Sequence, residues 1–157
     1  MEFKQFYDTV KRADQNINIV VNFSYLNCLE GFITEKGSNN RIVDIAAFTI
    51  TAKKLRESST YMADENAIAG KLKKADPHLQ IIPLIAIYEY PSKGEKLPSA
   101  DWVRKTGLDV LKDDNFDGVM YYSWESSNYM GRTIKDIADD PQYIKAFSDV
   151  FKAARTK

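Results

Sequence analysis

IIPLIAIYEY, residues 81–90, is a run of Ile, Leu, Ala and Tyr side chains interrupted by one proline and closed by a glutamate between two tyrosines. A strand with one wet face alternates apolar and polar residues, but this run is apolar at both parities. That pattern belongs to a parallel strand buried on both sides. Three further runs share it: INIVVNFSY (17–25), IVDIAAFTI (42–50) and GVMYYSW (118–124). Each is short, rich in Val, Ile, Phe and Tyr, and bounded by Asn, Gly, Asp or Pro. Pro83 falls early in its run, where a missing N–H is tolerated near a strand start.

Helical patterns separate the four runs. Phe3, Phe6, Tyr7, Val10 and Ala13 recur at helical spacing before the first. The connection Leu26–Asn40 has room for one brief helix. Asp64 is placed to cap a helix carrying Ala67, Ile68, Leu72 and Ala75 that stops at Asp76-Pro77. Ser99 caps the next, with Trp102, Val103, Val110 and Leu111 on its inner stripe. Asp140-Pro141 pairs a cap with proline at the first helical position, ahead of Ile144, Phe147, Phe151 and Ala154. The order α-β-(α)-β-α-β-α-β-α implies an α/β fold of four to five βα units with parallel strands and right-handed crossovers. No linker, low-complexity tract or close internal repeat interrupts it, so residues 1–157 read as a single α/β domain.

Composition narrows the function. Lys+Arg and Asp+Glu are 22 each, giving a net charge of zero, which argues against a nucleic-acid partner or an anionic membrane surface. No window approaches the roughly 18 apolar residues of a bilayer span. The N-terminal MEFKQFYDTVKRAD lacks the apolar core of a signal peptide. One cysteine, Cys28, rules out an internal disulfide, and one histidine, His78, argues against a Ser-His-Asp triad or a multi-histidine metal site. DDNFDG (113–118) lacks the length and closing Glu of a calcium loop and reads as a turn. Neither a metal site nor a cofactor is expected. Asp44, inside the second run, needs a partner if buried.

A (β/α)8 barrel spends roughly 31 residues per unit, about 250 over eight. Four units in 157 residues therefore make half a barrel. The alternative is a small open doubly wound sheet, which usually carries a fifth strand and a glycine-rich phosphate loop; neither GxGxxG nor GxxxxGK[ST] occurs here. In either case ligands bind beyond the carboxyl ends of the strands. The polar residues there are Asn22, Ser24, Thr49, Thr51, Glu89, Ser123 and Glu125. Glu89 follows a hydrophobic strand and lies between Tyr88 and Tyr90, a setting that desolvates a carboxylate and supplies hydroxyls to orient it. Its plainer reading is a strand-end glutamate in solvent or paired with Lys93 or Lys96. Trp124 offers a flat face suited to stacking on a sugar ring, or else plugs the end of the sheet as core.

Tyr88-Glu89-Tyr90, followed at the next strand by Asp117-Gly118-Val119-Met120-Tyr121-Tyr122-Ser123-Trp124, resembles strands seven and eight of glycoside-hydrolase-like (β/α)8 barrels. ADQNINIVVNFSY and RIVDIAAFT are then similar to the approach to strand five and to strand six. The resemblance implies that Glu89 is the nucleophile and Trp124 the sugar-stacking platform, with Tyr88, Tyr90, Asn22, Ser24 and Thr49 lining a carbohydrate site. It also implies binding or hydrolysis of a glycan; the alternative is a non-catalytic barrel-derived interaction module.

Whether the chain is an enzyme turns on a second carboxylate. Retaining glycosidases place it about 5–5.5 Å from the nucleophile and inverting ones about 6.5–9.5 Å. In the family the acid/base glutamate ends strand four, which this chain lacks in that register. Glu125 is the local substitute, but neighbours along a strand face opposite ways, so Trp124 and Glu125 cannot both point inward unless the strand has ended or bulged. Half a barrel also has two open edges, and open edges invite pairing. A homodimer or a complementing N-terminal half-barrel is the expected partner, besides the carbohydrate ligand.

Overall fold

The computed structural model describes residues 3–36, 41–87, 97–122, 128–129, 132–133 and 140–156. In chain order the elements are α1 (Phe3–Ala13), β1 (Val20–Phe23), α2 (Asn27–Lys36), β2 (Ile45–Ile50), α3 (Ala52–Glu57), α4 (Tyr61–Ala75), β3 (Gln80–Ala86), α5 (Ala100–Leu111) and β4 (Met120–Tyr122). A short antiparallel ladder, β5 (Asn128–Tyr129) with β6 (Arg132–Thr133), precedes α6 (Pro141–Ala154). The four long runs thus form strands shorter than their apolar extent. Pro83 lies mid-strand, one residue before pairing with β4 begins at Leu84.

β1 to β4 form one sheet in the order β1-β2-β3-β4, every neighbouring pair parallel. Side chains of one parity share one face. Val21 and Phe23, Ala46, Phe48 and Ile50, Ile81 and Ile85, and Tyr121 all join the core with α2 Leu29, α4 Ala69 and Leu72, α5 Val103 and Val110, and α6 Phe147. Helices α2, α4, α5 and α6 therefore pack on the same face. A sheet wound in one direction with right-handed crossovers must do this; a doubly wound sheet would reverse its strand order and carry helices on both faces. The arrangement is that of a half-open barrel. Among the described residues no helix joins the core from the other face, which carries Val20, Asn22, Ala47, Thr49, Ile82, Leu84, Met120 and Tyr122.

Caps at Ser99 and Asp140 form as expected: Ser99 Oγ accepts from the Trp102 N–H and Asp140 Oδ1 from the Gln142 N–H. The connection from β2 to β3 differs. Thr51 caps an additional helix, α3, accepting from the Lys54 N–H, and α4 begins after Thr60, leaving Asp64 inside its first turn. Asp64 instead accepts from the Thr60 hydroxyl at 2.8 Å.

The structure also exposes a repeat that the sequence reading missed. Residues 10–19, VKRADQNINI, and 72–81, LKKADPHLQI, occupy the same place in successive units, each position offset by 62 residues. Asp14 and Asp76 donate their N–H to Val10 and Leu72 respectively and accept from Asn16 and His78. Ile19 and Ile81, at the entries to β1 and β3, donate to Oδ2 of Asp44 and Asp117 at 2.8 and 2.7 Å. The same aspartates return their own N–H to the Ile19 and Ile81 carbonyls. Lys11, near the end of α1, pairs with Asp44, and Lys73, near the end of α4, with Asp117. The partner Asp44 needed is thus a set of three, completed by the Tyr7 hydroxyl at 2.8 Å. Burial alone would raise the Asp44 carboxyl, but the Ile19 N–H, Lys11 and Tyr7 outweigh it and hold it below the usual range. At the same end, Arg41 grips fully buried Asp76 with two hydrogen bonds, 2.7 and 2.5 Å. These clamps sit at the amino ends of the strands, where conservation of geometry serves stability, and leave the opposite rim for ligands.

Candidate functional site at the carboxyl rim

β1 and β2 deliver Asn22 and Thr49 to the open face, where Thr49 Oγ1 donates to Asn22 Oδ1 at 3.2 Å. Register places Asn22 opposite Ala47 and Thr49 opposite Leu84, so small or apolar neighbours surround this polar pair. Ser24, one residue past β1, contributes its backbone: its carbonyl accepts from Lys54 Nζ at 2.5 Å. The three expected lining residues therefore gather at one end of the rim.

Lys54 holds that end together. From α3 its ammonium also reaches the Thr49 carbonyl at 2.9 Å, tying the end of β1 to the end of β2. It stands 4.0 Å from the centre of the Tyr25 ring and 5.2 Å from that of Tyr61, and the two rings meet edge to face. Tyr61 donates its hydroxyl to the Thr49 carbonyl at 2.9 Å. Glu65, buried on α4, accepts from the Leu26 N–H at 2.9 Å and fixes the start of α2. Burial depresses Lys54 and raises Glu65, each opposed by attraction to the other. Burial, with Glu65 nearby, likewise raises the Tyr61 hydroxyl. Lys54, Tyr61 and Glu65 were not candidates from sequence, because they come together from separate elements. A lysine three residues after a capping threonine, just past a strand end, was the available signal. Chemically the cluster is a scaffold: its ammonium and carboxylate are both engaged by backbone groups.

Comparison with known protein families, with curated proteins and with solved structures finds no match to this chain.

The other half of the rim is approached by β3 and β4. They are parallel neighbours, and the Ile87 N–H donates to the Tyr122 carbonyl at 2.5 Å. Glu89 and Trp124 each follow two residues later in the chain. Glu89, Tyr88, Tyr90, Trp124, Ser123 and Glu125 themselves lie outside the described residues. No group of three or more His, Cys, Asp or Glu among the described residues is placed to hold a metal ion. No described helix is long and apolar enough to cross a membrane. Cys28 is exposed at the start of α2, and His78 stands at the opposite, amino end of the strands. Three clefts among the described residues lie in the helical layer. One of about 470 Å³ between α4 and α5 is lined by Leu55, Met62, Trp102, Val110 and Phe116. Its side-chain amide, Asn66, is already engaged: it donates to Asp113 and accepts from Asn115. The rim is the better candidate, because ligands bind beyond the carboxyl ends of parallel strands and the side chains of Asn22 and Thr49 meet there.

Proposed function

We propose that the chain is a carbohydrate-active domain, similar to the C-terminal half of a glycoside-hydrolase-like barrel, that binds or hydrolyses a glycan at the carboxyl rim. One observation supports it above the rest: β3 and β4 run parallel as neighbours and end together at Ile87 and Tyr122. Glu89 and Trp124 each follow two residues after those positions in the sequence. On this reading Glu89 is the nucleophile, Trp124 stacks on a sugar ring, and Tyr88 and Tyr90 flank the carboxylate. Asn22, Ser24 and Thr49 supply polar lining across the rim. Hydrolysis takes a second carboxylate at the separations glycosidases require, and on this reading it comes from strands outside these four.

The test is calorimetric titration with a panel of oligosaccharides. Trp124→Ala should weaken binding about tenfold, as loss of a central aromatic anchor does. Glu89→Gln should keep affinity and abolish any turnover. No binding to any glycan, or equal affinity without Trp124, would refute the proposal.

A second reading, a barrel-derived interaction module without glycosidase activity, is favoured by the chemistry of the described rim. Its carboxylate, Glu65, is buried against a backbone N–H and its ammonium, Lys54, against two carbonyls. Under that reading Glu89→Gln changes no enzymatic assay.

A further inference from the structure

We infer that Tyr25 carries a sugar subsite of its own at the β1–β2 end of the rim, and that the ligand is a neutral oligosaccharide lying across several strand ends. The inference rests on the glycan-binding reading above and deepens it: it names the length class of the ligand and a residue that senses that length.

Exposed aromatic residues scattered over a surface are ordinary. Tyr25 differs in how it is held. It stands two residues beyond β1 with 44% of its surface exposed. Lys54 Nζ lies over its ring at 4.0 Å, and Tyr61 of α4 meets the ring edge to face with centroids 6.0 Å apart. Both neighbours are themselves tied to the strand ends, Lys54 by the Ser24 and Thr49 carbonyls and Tyr61 by the Thr49 carbonyl. The Tyr25 carbonyl accepts from the Cys28 N–H at 3.3 Å, which anchors the backbone as well. A ring fixed in advance loses little conformational entropy when a ligand lands on it.

The groups beside it have hydrogen bonds to spare. Among the described residues the Tyr25 hydroxyl has no partner. Asn22 spends its side-chain oxygen on the Thr49 hydroxyl and keeps its amide hydrogens for a ligand. The Tyr25 ring and the Thr49 carbonyl lie within 4.0 Å of the same ammonium, so the aromatic surface and the polar pair share one strand end. That combination matches a sugar, whose C–H face rests on an aromatic ring while its hydroxyls take amide and phenol groups. The charged groups of the cluster, Lys54 and Glu65, are committed to backbone partners, so the subsite suits a neutral ring.

The length follows from the sheet. β2 separates β1 from β3, and at strand spacing the Tyr25 end of the rim lies about 10 Å from the end of β3. A single sugar ring is shorter than that, so a glycan that touches both ends has at least two rings. Contact with Tyr25 then strengthens the binding of long chains and adds nothing for short ones seated over β3 and β4.

Calorimetric titration with linear glucose, xylose, mannose and N-acetylglucosamine oligomers, from disaccharide to hexasaccharide, tests this. Tyr25→Leu keeps apolar bulk against Tyr61 and removes the flat ring, whereas Tyr25→Phe keeps the ring. Hexasaccharide affinity should fall about tenfold in Tyr25→Leu and stay within about twofold in Tyr25→Phe, with disaccharide affinity equal in all three proteins. In the unaltered chain, nuclear Overhauser contacts should join sugar C–H protons to the Tyr25 ring. Unchanged hexasaccharide affinity in Tyr25→Leu, or absence of those contacts, would overturn the inference and leave the glycan reading standing. An equal loss at every length, the mark of a merely structural tyrosine, would overturn it too. If no oligomer binds the unaltered chain, the glycan reading itself has failed and this one falls with it, so the two failures are told apart.

Discussion

Gly107 sits where α5 crosses the β4 side of the sheet, and a β-carbon there would fall 2.1 Å from the Tyr121 hydroxyl and 2.9 and 3.0 Å from the two Val150 methyls. Neither neighbour can step aside. Val150 is fully buried, and the Tyr121 ring is wedged against Phe147 at 4.7 Å and Phe151 at 6.0 Å. Gly107→Ala must therefore push α5 off the sheet, an overpacking cost of about 3 kcal/mol at the upper end of the usual range. Replacing glycine within a helix returns about 1 kcal/mol, so the net loss is about 2 kcal/mol. In a domain of this size that lowers the Tm by roughly 4–8 °C. The Tyr121 hydroxyl is itself buried without a hydrogen-bond partner among the described residues, and burial pushes its pKa up. Tyr121→Phe should then stabilise the protein by about 1 kcal/mol. It should also recover most of the loss when combined with Gly107→Ala, leaving only the Val150 contact to relax. Urea unfolding of the two single variants and the double variant closes the cycle, with a coupling of about 1–2 kcal/mol expected. A neutral or stabilising Gly107→Ala, or strict additivity with Tyr121→Phe, would refute this packing of α5 over β4.

Three more perturbations bear on the amino-end clamps. Arg41→Ala strands the buried Asp76 carboxylate and should cost about 3–5 kcal/mol in urea unfolding. Asp117→Ala removes the acceptor of the Ile81 N–H and the partner of Lys73, and should cost about 2 kcal/mol; Asp44→Ala should do at least as much, since it also frees the Tyr7 hydroxyl. A large difference in which Asp44→Ala is harmless would break the equivalence of the two clamps. Alkaline titration probes the tyrosines. Burial first, then the Asp44 bond and charge, push Tyr7 from 10.0 up to about 12, and burial raises Tyr61 and Tyr121 as well. A raised phenol contributes stability that is complete below its unfolded pKa and is lost as pH climbs through the folded one. The Tm should therefore hold up to about pH 10 and fall steeply above it, and Tyr7→Phe should make that fall shallower.

Much of the fold was legible because it is local. Ser99 and Asp140-Pro141 announced their helices through side-chain and proline geometry that acts within three residues, and the four β-rich runs located the strands. α3 escaped because AKKLRE offers no apolar stripe; it exists through the Thr51 cap and the Lys54 anchor. Asp64 misled because the helix gains one more turn from Thr60 and Tyr61, whose ring is buried by tertiary contacts that spacing cannot show. The repeat was readable in KRAD and KKAD, but its meaning needed Asp44 and Asp117, which lie 25 and 36 residues beyond their isoleucines. At the rim, polar residues at strand ends could be named from sequence. The lysine that organises them could not, since on paper Lys54 is one charge among many in a short polar helix.

The most direct measurement is a backbone amide chemical-shift titration of the chain with a bound oligosaccharide. A sugar seated on the carboxyl rim predicts shifts at Asn22, Ser24 and Thr49 together with residues 88–90 and 123–125, while Asp44 and Asp117 stay still. Shifts confined to the Trp102 cleft between α4 and α5, or to the amino-end clamps, would contradict it.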